Sequence, residues 1–199
     1  MTPPSMPATV TILEINMTIN TTGHQVWTVN SSSFRGDYNA PLLLLANEKN
    51  ISYPLDPEWN VYDFGSNGSF RLVVNNDSPF SSRLSHPMHM HGHNFFVVAE
   101  GNGRWDGQTI VKPQNPQRRD TQMLRRAGYV VLDLIADNPG VWAFHCHIAW
   151  HVSVGLYINI MERPADITEM QIPEVMKGTC VAWQAYTEEY VLDQIYSGL

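Results

Sequence analysis

The chain has 199 residues, of which 43% are hydrophobic and 16% charged, with a formal net charge of −7. That length fills one core and leaves residues for loops and a tail. The acidic balance argues against nucleic acid or an anionic membrane as partner, and no run of 18 apolar residues exists to cross a bilayer.

Residues 1–9 are proline-rich and polar with no apolar h-region, so they read as a disordered or linker segment and not as a secretory signal. Val10–Ile19 alternates apolar and polar side chains and is rich in β-branched residues, which predicts a strand. A Thr-Gly turn then leads to a second strand over Gln25–Val29, and Asn30–Asn39 is turn-rich. Pro41–Ala46 is a short apolar run that periodicity leaves open between buried strand and helical turn. Asn47–Asn60 reads as a loop, and Val61–Phe64 and Ser69–Val74 as strands around a turn at Gly65–Gly68. After a polar loop, Asn75–Ser85, comes a histidine-rich segment. A buried strand is predicted over Asn94–Ala99 and a long loop over Gly101–Gln117. Strands follow over Thr121–Leu124 and Tyr129–Ala136 with a turn at Gly128. The sequence Asp137–Gly140, DNPG, is a strong turn signal between Tyr129–Ala136 and a strand over Gly140–Cys146. Gly155–Met161 is the next strand, and from Asp166 the pattern changes to helix-like stretches, Asp166–Met176 and Cys180–Ile195. Many short strands at regular spacing predict an all-β sandwich or barrel.

Chemistry concentrates in two places. His145–Leu156 reads HCHIAWHVSVGL, and His86–His93 reads HPMHMHGH. Side chains alternate along an extended strand, so Cys146 faces one way and His145 and His147 the other. His89 and His91 share a face, while His86 lies off that pattern behind Pro87, which restricts the backbone on both sides. A thiolate on one face and imidazoles on the other cannot share one small site, so the geometry asks for two metal centres. His86, Cys146 and His151 form a two-histidine, one-cysteine set, the signature of a blue-copper electron-transfer site. His89, His91, His145 and His147 form an all-imidazole cluster. Zinc is the rival metal, but seven ligands exceed the four of a structural zinc site and no CxxC is present. His93 shares the parity of His91 and reads as structural; His24 sits in a turn and reads as solvated.

The segments HPMHMHGHNF and HCHIAWHVSVGL resemble the two C-terminal copper motifs of the multicopper oxidases, laccases in particular. The Ile-Ala-Trp insert and the C-terminal tail look like the ascomycete laccases. The resemblance runs from about Val10 to Leu199 and implies the third cupredoxin domain of such an enzyme. The expected fold is a cupredoxin-like Greek-key β-sandwich or barrel over residues 10–165, with a short helical C-terminal extension over 166–199. The resemblance implies a type 1 copper held by His86, Cys146 and His151, with the non-coordinating Leu156 at the axial position. It also implies half of a type 2/type 3 trinuclear cluster: His91, His145 and His147 on the paired coppers and His89 on the third. His151 is the expected point where electrons enter from small aromatic reductants such as phenols, and O2 is the expected acceptor, reduced to water. Asp120 resembles a family aspartate near the cluster, acting either as a proton relay or to orient a histidine. The competing reading makes it a charge partner of Arg118 or Arg119. Trp150 and Leu84 either line the wall beside His151 or belong to the core.

The family takes four more cluster histidines from a first domain, as paired HxH motifs. Here His24 is the only histidine before His86. The chain is therefore expected to be a fragment, or one chain of a processed enzyme, inactive alone and completed by the missing N-terminal cupredoxin domains. Alternatives are a stand-alone blue-copper electron-transfer protein, which would have no use for the second histidine set, and a multicopper oxidase of ferroxidase or bilirubin type. Sequons at Asn16, Asn20, Asn30, Asn50, Asn67 and Asn76 favour a secreted glycoprotein, and the resemblance adds extracellular lignin degradation. With Cys146 on a metal, Cys180 is the odd cysteine; in the ascomycete laccases the matching cysteine bonds to the first domain. The tail ends Ser197-Gly198-Leu199, like the processed end of those laccases, but Tyr196 stands where they have aspartate. The resemblance implies a plug in the channel to the cluster, which without the aspartate would not assist proton delivery; the alternative is a frayed terminus.

Overall fold

The computed structural model describes residues 7, 9–50, 56–66, 68–79, 83–111 and 114–190. The chain-terminal tail, the sequon at Asn67 and most of residues 1–8 lie outside the described residues. Among the described residues the strands are β1 (Thr9–Ile19), β2 (Gln25–Val29), β3 (Val61–Asp63), β4 (Ser69–Asn76), β5 (His86–Met90), β6 (Phe95–Asn102), β7 (Gln117–Arg119), β8 (Thr121–Leu124), β9 (Gly128–Ile135), β10 (Gly140–Cys146) and β11 (Tyr157–Glu162). They form a six-stranded sheet, in the order β2-β1-β4-β9-β6-β7, and a five-stranded sheet, in the order β3-β11-β10-β5-β8. Pairing is antiparallel except for β1 with β4 and β3 with β11, where the chain crosses over.

The core lies between the sheets, and strand alternation fills it. Leu13 and Ile15 of β1, Phe70, Leu72 and Val74 of β4, and Val130, Leu132 and Leu134 of β9 meet Met88 and Met90 of β5, Phe144 and Cys146 of β10, and Ile158 and Ile160 of β11. β4 and β9 are central strands buried on both faces. Their outward side chains Val73 and Val131 join Phe96 and Val98 in a second cluster, covered by Trp105 and Ile110. That is why these two segments read as nearly unbroken apolar runs and not as alternating ones. Arg71 and Asp133 stand opposite one another in the β4–β9 register, buried to 4% and 3% exposure, and pair through two hydrogen bonds of 2.6 and 2.8 Å.

The apolar run at Pro41–Ala46 resolves as helix α1 (Leu42–Asn47); Leu44 and Leu45 donate to the Pro41 carbonyl, and Ala46 is buried against Met161 and Ile167. A second short helix, α2 (Ala149–Ser153), follows β10 and was not expected from periodicity. The expected helix over Asp166–Met176 is corrected. Helix α3 (Pro164–Ile167) is a single turn, residues 168–173 are non-helical, and α4 runs over Glu174–Glu189. Pro173 explains the break, because a proline pushes the residue before it out of the helical region, and Pro173 itself is extended at ψ 138. The helix expected over Cys180–Ile195 thus starts earlier, at Glu174; residues 191–195 lie outside the described residues. α4 contains no buried residue and touches the body at Trp183, whose ring meets Tyr38 at 5.8 Å, and at Thr187, which donates to Asn39 at 3.1 Å. Cys180 lies part-buried on this helix. No helix among the described residues is long and apolar enough to cross a membrane. Of the sequons, Asn76 is fully buried, and its amide donates to the carbonyls of Leu84 and Arg125.

Candidate metal centre

The pairing of β5 with β10 builds the site. In this register Met88 stands opposite Cys146, and His89 opposite His145. Alternation then sends Met88 and Cys146 inward, and His89 and His145 to the other face of the sheet. His86 belongs to the inward set, with 0% exposure, as does Cys146. His147 follows the strand end, and its N–H donates to the Pro87 carbonyl at 2.7 Å; the His91 N–H donates to the Ala143 carbonyl at 2.9 Å. The two motifs therefore hold each other through backbone hydrogen bonds, and the faces divide as the sequence requires.

His151 reaches the inward set because of α2. Five residues of extended strand would carry the chain about 16 Å away from Cys146. The helix turns it back, so that His151 Nδ1 lies 3.4 Å from Cys146 Sγ and 3.1 Å from His86 Nδ1. The donor atoms of His86, Cys146 and His151 all fall within 4.8 Å of one another. Leu156 is fully buried in the same core cluster as Cys146, and its carbonyl accepts from the Cys146 N–H at 3.2 Å. Burial pushes the Cys146 thiol up to about 11 and lowers the pKa of His151. A thiolate here needs a cation beside it, while the His151 imidazole is neutral and has a lone pair to give.

On the opposite face, donor atoms of His89, His91 and His145 also fall within 4.8 Å of one another. His147 completes the group, with ring centroids 5.4 Å from His89 and 5.8 Å from His145. Tautomers follow from the partners. A carbonyl only accepts, so the contact of His145 Nδ1 with the Cys146 carbonyl (2.8 Å) places a hydrogen on that nitrogen, as does that of His89 Nδ1 with the Asp120 carbonyl (3.0 Å). Each Nε2 is left with its lone pair, and that of His145 meets His91 Nε2 at 2.9 Å. Burial lowers the pKa of His91, with the neighbouring His89 and His147 adding to it. Burial likewise lowers that of His145, helped by His91, His89 and His147 and opposed by its hydrogen bond to Cys146. Four imidazoles packed this closely form a donor cluster that suits a cation. They border an open cleft of about 630 Å³, lined by His91, His145 and His147 with Trp142 and Tyr157.

Asp120 acts on the site through its backbone. Its carbonyl accepts from His89 Nδ1 and from the Met90 N–H, while the residue is exposed. Trp150 is 80% and Leu84 46% exposed, so neither is a core residue. His93 is buried; its Nδ1 donates to the His91 carbonyl at 3.0 Å and its Nε2 lies 2.8 Å from the Glu162 carboxylate. His24 is exposed in its turn, 3.1 Å from Thr22 Oγ1.

Three supporting residues carry no signal in the sequence. The Trp27 ring touches both His86 and His151, Tyr157 stacks on His145 at 5.8 Å, and Trp142 packs on the turn after His91. That turn needs Gly92: its φ is +69°, and a Cβ there would lie 2.6 Å from the Trp142 ring.

A soft thiolate with two imidazoles on one face, and four imidazoles on the other, is a donor set for copper. The sequence profile of the multicopper oxidases matches residues 1–166. The chain belongs to the multicopper oxidase family. It is 36% identical over 206 residues to Laccase-2 of Podospora anserina, covering 94% of this chain and 32% of that protein. It is 37% identical over 190 residues to Laccase-1 of Melanocarpus albomyces, covering 87% of this chain and 30% of that protein. A mutant of the laccase from B. aclada superposes with a TM-score of 0.86 at 28% identity, covering 99% of this chain and 36% of that one. The chain thus spans about a third of the length of the relatives it matches. Within this multicopper oxidase chain, the two-sheet sandwich is the cupredoxin-like Greek-key fold expected from the sequence, and copper is the metal of its family.

Proposed function

We propose that this chain is the C-terminal copper domain of a laccase-like multicopper oxidase. The whole enzyme would oxidise phenolic reductants one electron at a time and reduce O2 to water. The observation that carries the reading is the pair of donor sets on the two faces of one strand end, joined through Cys146 and His145. His86, Cys146 and His151 would hold a type 1 copper, with the non-coordinating Leu156 in the same core cluster. His89, His91, His145 and His147 would supply half of the trinuclear cluster. Copper, when bound, supplies one-electron redox chemistry at the first set and oxygen reduction at the second.

The protein's part is positional. Core packing excludes water from His86 and Cys146, and the part-exposed His151 is the imidazole that an aromatic reductant would meet; the exposed Trp150 and Leu84 would line the wall it approaches. The hydrogen bond from His145 Nδ1 to the Cys146 carbonyl shortens the bonded path between the two sets. The Asp120 carbonyl fixes the ring of His89, which supports the orienting role over proton relay. The missing N-terminal domains would bring the remaining histidines to the open cleft, and Cys180, part-buried on α4, would bond to the first of them. A secreted, glycosylated state would fit the sequons.

Metal analysis with oxygen uptake tests the reading. The chain alone should hold one copper tightly and consume no O2, whereas the full-length enzyme should hold four and turn over. Four tightly held coppers with turnover in this chain alone would refute it.

A further inference from the structure

Trp27 lies far from both copper motifs in the sequence, on β2 of the six-stranded sheet, and is 3% exposed. Its ring centroid is 4.8 Å from that of His86, edge-on at 82°, and 4.8 Å from that of His151, tilted at 46°. The two imidazoles are themselves 4.9 Å apart, so three rings form a closed triangle. The imidazoles differ in how firmly their backbones are held. His86 sits in β5, between β8 and β10 in the other sheet. His151 sits on a helix of five residues, which by itself is marginal in water.

The backbone of β2 supplies what α2 lacks. The Trp27 N–H donates to the Val154 carbonyl at 2.8 Å, just past the end of α2. The next residue, Gly155, has φ +104°; a Cβ there would come within 2.7 Å of the Trp27 carbonyl and 2.0 Å of Ser33 Oγ. Only glycine lets the helix end dock this closely on β2. Trp27 thus grips the α2 segment twice, by its backbone after the helix and by its ring on His151.

Resting on the type 1 reading of His86, Cys146 and His151, we propose that Trp27 is a positioning residue for that site: it fixes the distance between the two imidazoles and shields from water the sides of the rings that face it. A first-row metal takes its geometry from ligands held in place, and the apolar shell around them sets solvent access and hence potential. Nothing on His86 or His151 need change for the site to loosen; replacing the indole is enough.

The test is Trp27→Leu in the copper-loaded protein, read by visible and paramagnetic resonance spectra per bound copper, by reduction potential and by release to a chelator. Leucine keeps an apolar side chain at the position but reaches neither imidazole. The expected result is a folded protein with an altered spectrum, a lower potential and copper release on the order of 10–100-fold faster, the range for lost supporting contacts. Trp27→Phe keeps a ring and should fall between the two; if the leucine variant does not fold, faster release from the phenylalanine variant carries the test. A merely structural tryptophan would lower thermal stability and leave the spectrum and potential of the bound copper unchanged. That result in the leucine variant, or wild-type release from the phenylalanine variant, overturns the proposal. A wild-type chain without a blue band would instead defeat the type 1 reading on which it rests.

Discussion

Arg71→Met removes the cation from the buried pair between β4 and β9. Both partners are almost wholly buried, and two short hydrogen bonds join the guanidinium to both oxygens of Asp133. Trp105 covers the arginine at 5.7 Å, which keeps water out of the gap that a shorter side chain would leave. Asp133 is therefore left as an uncompensated carboxylate in the apolar layer with Val73, Phe96 and Val131. Breaking such a pair costs about 3–5 kcal/mol. At about 2–4 °C per kcal/mol for a chain of this size, the melting temperature should fall by about 6–20 °C. The assay is thermal unfolding of the metal-free protein, with Arg71→Met/Asp133→Leu as the control. The double variant should recover most of the loss, because matched apolar groups replace a buried pair at little cost. A single variant within about 1 kcal/mol of wild type would mean that the pair behaves like an exposed salt bridge, and would refute the reasoning.

In the metal-free chain at pH 8, Cys146 should react with a thiol reagent about 100-fold more slowly than an ordinary cysteine, because burial moves it from 9.0 to about 11. Part-buried Cys180 should be labelled first; equal labelling by mass mapping would count against the packing around Cys146. Asn76 should carry no glycan in the folded protein expressed in a secreting host, since its amide is buried and doubly committed; a glycopeptide at Asn76 would contradict that placement. Leu156→Met should lower the reduction potential of the blue copper, because a weak thioether ligand stabilises Cu(II). An unchanged or raised potential in a redox titration would remove Leu156 from the axial position.

The sequence carried most of the metal centre because period-two alternation is a local rule. His89 and His91 against His86, and Cys146 against His145 and His147, divide by parity alone. Most β-strands were legible for the same reason, and Thr121–Leu124 and Gly140–Cys146 have the expected ends; β7 (Gln117–Arg119), three exposed polar residues without alternation, was not. α2 was not legible: Ala-Trp-His-Val-Ser has no distinctive period over so few residues, and its end docks on β2 through Trp27 and Gly155, contacts that a local pattern does not reveal. The break between α3 and α4 was written in Pro173, yet the apolar pattern around it read as continuous helix. Trp27 and Tyr157 reach the histidines from other strands, and Trp142 reaches the turn after His91 across the β5–β10 pairing; only the tertiary fold brings them there. The part played by Asp120 was half legible: its proximity to a histidine followed from resemblance, but the contact runs through its carbonyl, which any residue type has.

Titration of the metal-free protein with Cu(II), followed in the visible spectrum, tests the central claim most directly. One equivalent should raise an intense blue thiolate-to-copper band, and Cys146→Ser should abolish it, because serine cannot supply the soft ligand. A folded, copper-loaded wild-type chain that stays colourless would contradict the assignment of His86, Cys146 and His151 as a type 1 site.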